Sequence, residues 1–192
     1  MKLFKLLILS ALCALSLSSC GYNTMVEKQE AVEAQWSQVE NVYQRRADLI
    51  PNLVATVKGY ATHESETLTA VVDARSKATS VTIDASSLTE ENMAKFQQAQ
   101  GELSSALSRL MAVKEAYPDL KANENFRDLS AQLEGTENRI STERKKFNDT
   151  ARDYNTYIRK FPNNIVSSIF GFDSKPYFKA DEGSDKAPKV EF

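Results

Sequence analysis

Cysteine is nearly absent from this sequence: Cys13 and Cys20 are the only two, both within the first twenty positions. No disulfide can therefore staple the rest of the chain, which must hold its fold by burial alone. Histidine occurs once, as His63, so no set of imidazoles exists to bind zinc. Its surroundings, HESE, miss the H-E-x-x-H pattern because Thr67 stands where the second histidine is required. Six glycines and five prolines are few for 192 residues. They leave no phosphate-cradling glycine loop, no G-x-S-x-G elbow and no flexible linker between domains. Basic charge is not in excess either: 24 Lys and Arg face 26 Asp and Glu. That balance excludes the electrostatic footprint of a nucleic-acid binder. The expectation is a protein that is not an enzyme, with no cofactor, no metal and no small-molecule ligand. An enzyme built on carboxylates and His63 stands as the rival.

What the sequence has in quantity is helix formers: long segments rich in Ala, Leu, Glu, Gln, Lys and Arg, with no convincing strand alternation. About 170 residues beyond the N-terminal segment suit one domain. Four stretches carry helical apolar spacing. The first, from about Tyr22 to Ala47, aligns Met25, Val32, Trp36, Val39 and Tyr43. The second carries Leu53, Val57, Tyr60, Leu68 and Val71 or Val72, and ends near Ala78. A Ser/Thr-rich connection follows, in which Thr89 with Asn92, or Ser87 with Glu90, can cap a third helix. That helix presents Met93, Phe96, Leu103, Leu107 and Leu110 and stops before Pro118. The fourth steps by threes and fours through Phe126, Leu129, Leu133, Thr136, Ile140, Glu143, Phe147, Thr150 and Tyr154, a heptad seam that ends before Phe161-Pro162. The fold predicted is all-α, an up-and-down four-helix bundle of long antiparallel helices.

The block RRADLIPNLV, Arg45 to Val54, admits two readings. In the preferred one Asp48 caps a new helix, Pro51 sits in its first turn, and the chain reverses there. In the other, three long helices form the bundle and the first is kinked at Pro51, because Val39, Tyr43, Ile50, Leu53 and Val57 keep their spacing straight through. The arginines would then satisfy helix-end carbonyls under the first reading. Alternatively Arg45, Arg46, Asp48, Asn52 and Lys58 make a corner that docks an anionic partner or headgroup.

At the N-terminus, Lys2 and Lys5 precede an apolar run from Leu6 to Leu17, then Ser18, Ser19 and Cys20. Charge, short apolar core and small residues describe an export signal over residues 1–19, and the run is short for a permanent span. LSSC, Leu17 to Cys20, resembles the lipobox of bacterial lipoproteins. That resemblance implies cleavage before Cys20 and acylation of its thiol and amino group. Three acyl chains would hold the protein to a bilayer almost irreversibly. A signal kept as an anchor is the alternative, and Gly21 leaves the choice of membrane open. Loss of Lys2 and Lys5 takes the net charge from −2 to −4.

Two longer blocks carry a family resemblance. YNTMVEKQEAVEAQWSQVENVYQRRADLIPNLVATVKGYATHE, Tyr22 to Glu64, and FPNNIVSSIFGFDSKPYFKA, Phe161 to Ala180, resemble the signature and ending of the LemA family of bacterial envelope proteins. The resemblance implies a compact helical bundle over residues 20–180, tethered to a membrane by its N-terminus, and it implies no agreed biochemical activity. Many relatives carry a longer apolar helix in place of the lipobox, and this chain departs there. The aromatic segment Asn163 to Phe178 is expected to cap the open end of the bundle, or else to offer a hydrophobic patch to a membrane or partner. Residues 181–192 read as a disordered tail. The function expected is that of a lipid-anchored interaction or scaffold module facing the periplasm or cell exterior, with an envelope protein as partner. An accessory subunit of a membrane protease or another envelope enzyme is the second reading.

Overall fold

In the computed structural model the backbone is described for residues 2–179 and the side chains for residues 21–179. The signal peptide assigned to 1–19, the side chain of Cys20 and the tail assigned to 181–192 lie outside those described side chains. Among the described residues there are six α-helices: α1 (Lys2–Tyr60), α2 (Ser65–Ser80), α3 (Glu90–Val113), α4 (Pro118–Ala122), α5 (Glu124–Arg159) and α6 (Asn163–Phe170). Among the described residues there is no strand. The fold is all-α, as its periodicity predicts.

The reversal expected at Asp48–Pro51 does not occur. The helix runs through Pro51 to Tyr60, and the chain turns instead at 61–64, where Ala61 N donates to Val57 O at 2.8 Å and Glu64 N to Ala61 O at 3.2 Å. Asp48 is no cap: it sits mid-helix on the exposed face and accepts from Gln44 Nε2 at 2.8 Å. Two facts explain why a proline fails to break this helix. Its ring points to solvent while Ile50, Leu53 and Val57 stay buried on the other side. The carbonyl it orphans, that of Ala47 four residues back, accepts from Arg75 Nε of α2 at 2.8 Å. Four helices still make the bundle. The first is longer than expected, and the second begins only at Ser65.

α1 and α5 run antiparallel over their whole shared length, as the contacts Trp36–Phe147, Arg46–Glu137 and Tyr60–Asn123 record. α2 packs against the C-terminal half of α1, and α3 packs on α2 and reaches α1 through long side chains such as Phe96. Thr89 caps α3, its hydroxyl accepting from Asn92 N at 3.2 Å. Pro118 opens the short α4, where a missing N–H costs nothing. The seam of α5 departs from its predicted heptad. Leu129, Glu143 and Thr150 are half-buried, and Ala151, Asn155 and Ile158 complete the buried side. Of the second stripe Tyr60 is exposed, and of the pair Val71 and Val72 it is Val71 that is buried.

The interior forms two apolar clusters. One gathers Trp36, Phe96, Phe147, Tyr154 and Phe178 with Met25, Val32 and Ile158. The other gathers Ile50, Leu53, Val57, Val71, Leu103, Leu110, Phe126 and Leu133. Between them, at one level of the bundle, lie the buried polar residues Arg46, Gln100 and Thr136.

After α6, Gly171 adopts φ +74°, the left-handed conformation that ends a helix without Cβ strain. Residues 172–179 then form an extended strap along α5. Its backbone is paired by side chains of that helix. Asn155 takes Lys175 N and gives to Lys175 O, both at 2.8 Å, and Asn148 takes Phe178 N at 2.8 Å and gives to Phe178 O at 3.0 Å. Phe178 is buried between Trp36 and Phe147. So the segment expected to cap the bundle divides in two: the strap packs, and α6 leaves much of its apolar surface outside.

Tyr154 secures the strap's start, its hydroxyl donating to Asp173 O at 3.0 Å. Burial, and then the charges of Asp173 and Glu33, push this phenol up to about 12. An unfolded tyrosine ionises near 10, so the group's contribution is complete below that pH and is lost as pH rises from about 10 to 12. Ultraviolet titration of the phenolates should leave Tyr154 un-ionised until the helical signal falls, a late step that Tyr154→Phe removes. Smooth titration of all seven near pH 10 in a folded protein would contradict this.

Candidate functional site

Of the five residues of the expected docking corner, Arg46 is turned inward and is 1% exposed. Arg45, Asp48, Asn52 and Lys58 are exposed on α1. Arg45, Asp48 and Asn52 follow one another at three and four residues and so share a face of the helix. The corner is thus a stretch of continuous helix flank without Arg46. The arginines do not serve helix-end carbonyls of α1, since α1 does not end there.

Arg46 instead joins the bundle. Its Nη1 donates to Ser104 Oγ of α3 and to Glu137 Oε1 of α5, each at 2.8 Å. Its Nη2 donates to Gln100 O at 3.3 Å and to the Gln100 side-chain oxygen. Gln100 Nε2 passes the link on to Ala78 O in the last turn of α2 at 3.3 Å. One guanidinium therefore ties α1 to α3 and α5 directly and to α2 through an amide. Its plane also lies 5.1 Å from the Tyr43 ring. Only Nε lacks a partner. Glu137 is 42% exposed, so the ion pair has one dry end and one wet end. A charge on the core side breaks the rule used to read the sequence, yet position 46 falls in step with Tyr43 and Ile50. That spacing was the available signal.

Glu143 bridges the same two long helices higher up, accepting from Gln35 Nε2 at 2.7 Å and from Lys146 Nζ at 2.8 Å. Those two bonds, Lys146 first, hold its carboxyl below the usual range. Glu40 moves the other way, raised chiefly by burial, with the Asp84 charge adding to it.

An open groove of about 840 Å³ runs between α3 and α5, walled by Leu107, Met111, Phe126 and Leu133 and rimmed by Lys114, Lys121, Arg127 and Glu134. A second hollow of about 760 Å³ continues it past Ser104 and Glu137 toward Arg144 and Lys179. His63 is exposed in the turn after α1. Among the described residues no three His, Cys, Asp or Glu side chains are grouped so as to hold a metal ion, and no helix is long and apolar enough to cross a membrane.

The profile of the LemA family matches residues 35–192. Magnetosome protein MamQ 2 of Paramagnetospirillum magneticum is 29% identical over 195 aligned positions, covering 93% of this chain and 72% of the relative. Magnetosome protein MamQ of Magnetospirillum gryphiswaldense is 27% identical over the same shares. Protein LemA of Metamycoplasma hominis is 24% identical over 160 positions, 83% of this chain and 69% of the relative.

Proposed function

The chain belongs to the LemA family, and on that premise we propose that it is a lipid-anchored envelope protein whose bundle is a non-catalytic interaction or scaffold module. The observation that carries the reading is the continuity of α1, one helix from Lys2 to Tyr60. Residues next to the acylation signal belong to the same rod that supplies the core. A lipid on Cys20 would therefore fix the orientation of the whole bundle as well as its location. The exposed face Arg45, Asp48 and Asn52 would stand about 38 to 48 Å along that rod, counted at 1.5 Å per residue from Cys20. At that height it stands clear of the bilayer and looks sideways from the rod, within reach of a soluble or membrane-protein partner.

Two experiments test this. Cys20→Ala should abolish labelling with a radioactive fatty acid and leave the signal uncleaved; a variant still labelled would refute the lipid anchor. Crosslinking in intact cells should compare wild type with Arg45→Ala/Asp48→Ala/Asn52→Ala, whose three positions are exposed and dispensable to the core. A partner captured by wild type and lost in the variant assigns docking to this face. If that partner were a single protease or other enzyme, the protein would be its accessory subunit. An identical set of partners in both moves the interaction elsewhere, with the groove between α3 and α5 as the next surface to alter.

A further inference from the structure

α6 wears its polarity inside out. Ser167 is its buried residue, 8% exposed, its hydroxyl lying 3.1 Å from both Ile158 O and Asn164 O. Ile165, Ile169 and Phe170 are 52%, 71% and 60% exposed, and Phe161 just before the helix is 81% exposed. A helix that packs on a core in water does the reverse. The pattern extends onto α1, where the Tyr22 ring stands edge-on to Phe170 at 5.0 Å and Val26, one turn further on, is also exposed. Nine large hydrophobic residues are exposed among those described, and six of them belong to this one end of the bundle. Scattered apolar residues need no explanation, whereas a contiguous cluster marks a contact.

Charge and position select the occupant. Between Asp153 and Asp173 the chain carries two exposed cations, Arg159 and Lys160, and no acid. Aromatic and branched side chains flanked by Arg and Lys are the chemistry of an interfacial segment on anionic lipid. The patch also lies where α1 passes from the bundle into the apolar run Leu6–Leu17 of the same helix. A bilayer that takes up that run, or an acyl group on Cys20, would lie against α6. We propose that Phe161, Ile165, Ile169 and Phe170, with Tyr22, form a foot that seats the bundle on an anionic lipid surface, Arg159 and Lys160 facing the headgroups. This rests on the anchoring reading above and adds to it a second, C-terminal contact with the same membrane.

Tryptophan quenching tests it in the full chain, reconstituted into phosphatidylethanolamine–phosphatidylglycerol vesicles with acyl chains brominated near the headgroup. The native Trp36 is fully buried and gives the baseline. Phe170→Trp should lose most of its added emission. Val72→Trp, exposed on α2 and about 40 Å along the bundle, should keep its own. If both emissions persist while the vesicles still carry the protein through flotation, the foot is wrong and the anchor stands. Quenching of both to the same degree means that the bundle lies on its side, which also overturns the foot. Failure of the chain to float with vesicles overturns the anchor and the foot together. Unquenched Phe170→Trp emission in a protein that sediments as a dimer, and as a monomer once Ile169→Ser is introduced, assigns the face to a second copy instead.

Discussion

Arg46→Ala should cost about 3–5 kcal/mol of folding stability, the loss expected when one partner of a buried charged network is removed. The substitution empties the space of one of the largest fully buried side chains. It also leaves the Gln100 side-chain oxygen without its donor and takes the donor from the Ser104 hydroxyl oxygen. For a chain of this size that loss lowers the melting temperature by roughly 6–20 °C. Arg45→Ala, one residue away but exposed, should stay within about 0.5 kcal/mol of wild type. Arg46→Lys keeps the charge but not the planar fork that reaches two helices at once, so it should recover only part of the loss. Glu137→Gln should be milder than Arg46→Ala, because that end of the pair reaches water. Thermal melts followed by circular dichroism decide the matter. An Arg46→Ala protein as stable as Arg45→Ala would show that the clasp contributes nothing. The same contrast governs partner capture: loss of a crosslink on changing both arginines would confuse unfolding with docking.

Arg75→Ala should cost about 1–3 kcal/mol, the penalty for a buried acceptor left without a donor. The acceptor is Ala47 O, and Ala47 is buried. A double-mutant cycle with Pro51→Ala identifies the cause. Alanine at 51 restores an N–H four residues after Ala47, so the carbonyl regains its helical partner and Arg75 loses its special role. In that background Arg75→Ala should cost about 1 kcal/mol or less. Equal losses in both backgrounds would separate Arg75 from the proline and leave the tolerated break in α1 unexplained.

The helices were legible where apolar stripes were long. Met93, Phe96, Leu103, Leu107 and Leu110 are all buried as their spacing required, and Thr89 was recognisable as a cap. Legibility failed where a local rule met a tertiary answer. Proline reads as a helix end because it orphans a carbonyl, and nothing near Pro51 in sequence announces that Arg75 will supply the donor. Arginine reads as surface because a lone buried charge is prohibitive, and Arg46 is tolerated only through groups 54 to 91 positions away. Ile165 and Ile169 read as core for the opposite reason. Residues 172–179 have no period at all, since their backbone bonds to side chains of α5. At the expected corner, the exposure of Arg45, Asp48, Asn52 and Lys58 followed from their polarity, and the continuous helix beneath them was the rival reading of the apolar spacing, set aside in favour of a reversal at Asp48 and Pro51.

The strap also sets an order of assembly. Trp36 needs Phe147 and Phe178 as walls, so the cluster around it cannot close until synthesis has passed Phe178. The other cluster draws on residues from Ile50 to Leu133 only and is complete in sequence far earlier. A nascent chain therefore holds the residues of the second cluster while the first still waits for Phe147 and Phe178. Contacts of such long sequence separation form late and slowly. That delay keeps the N-terminal half of α1 open to whatever machinery handles the chain as it emerges.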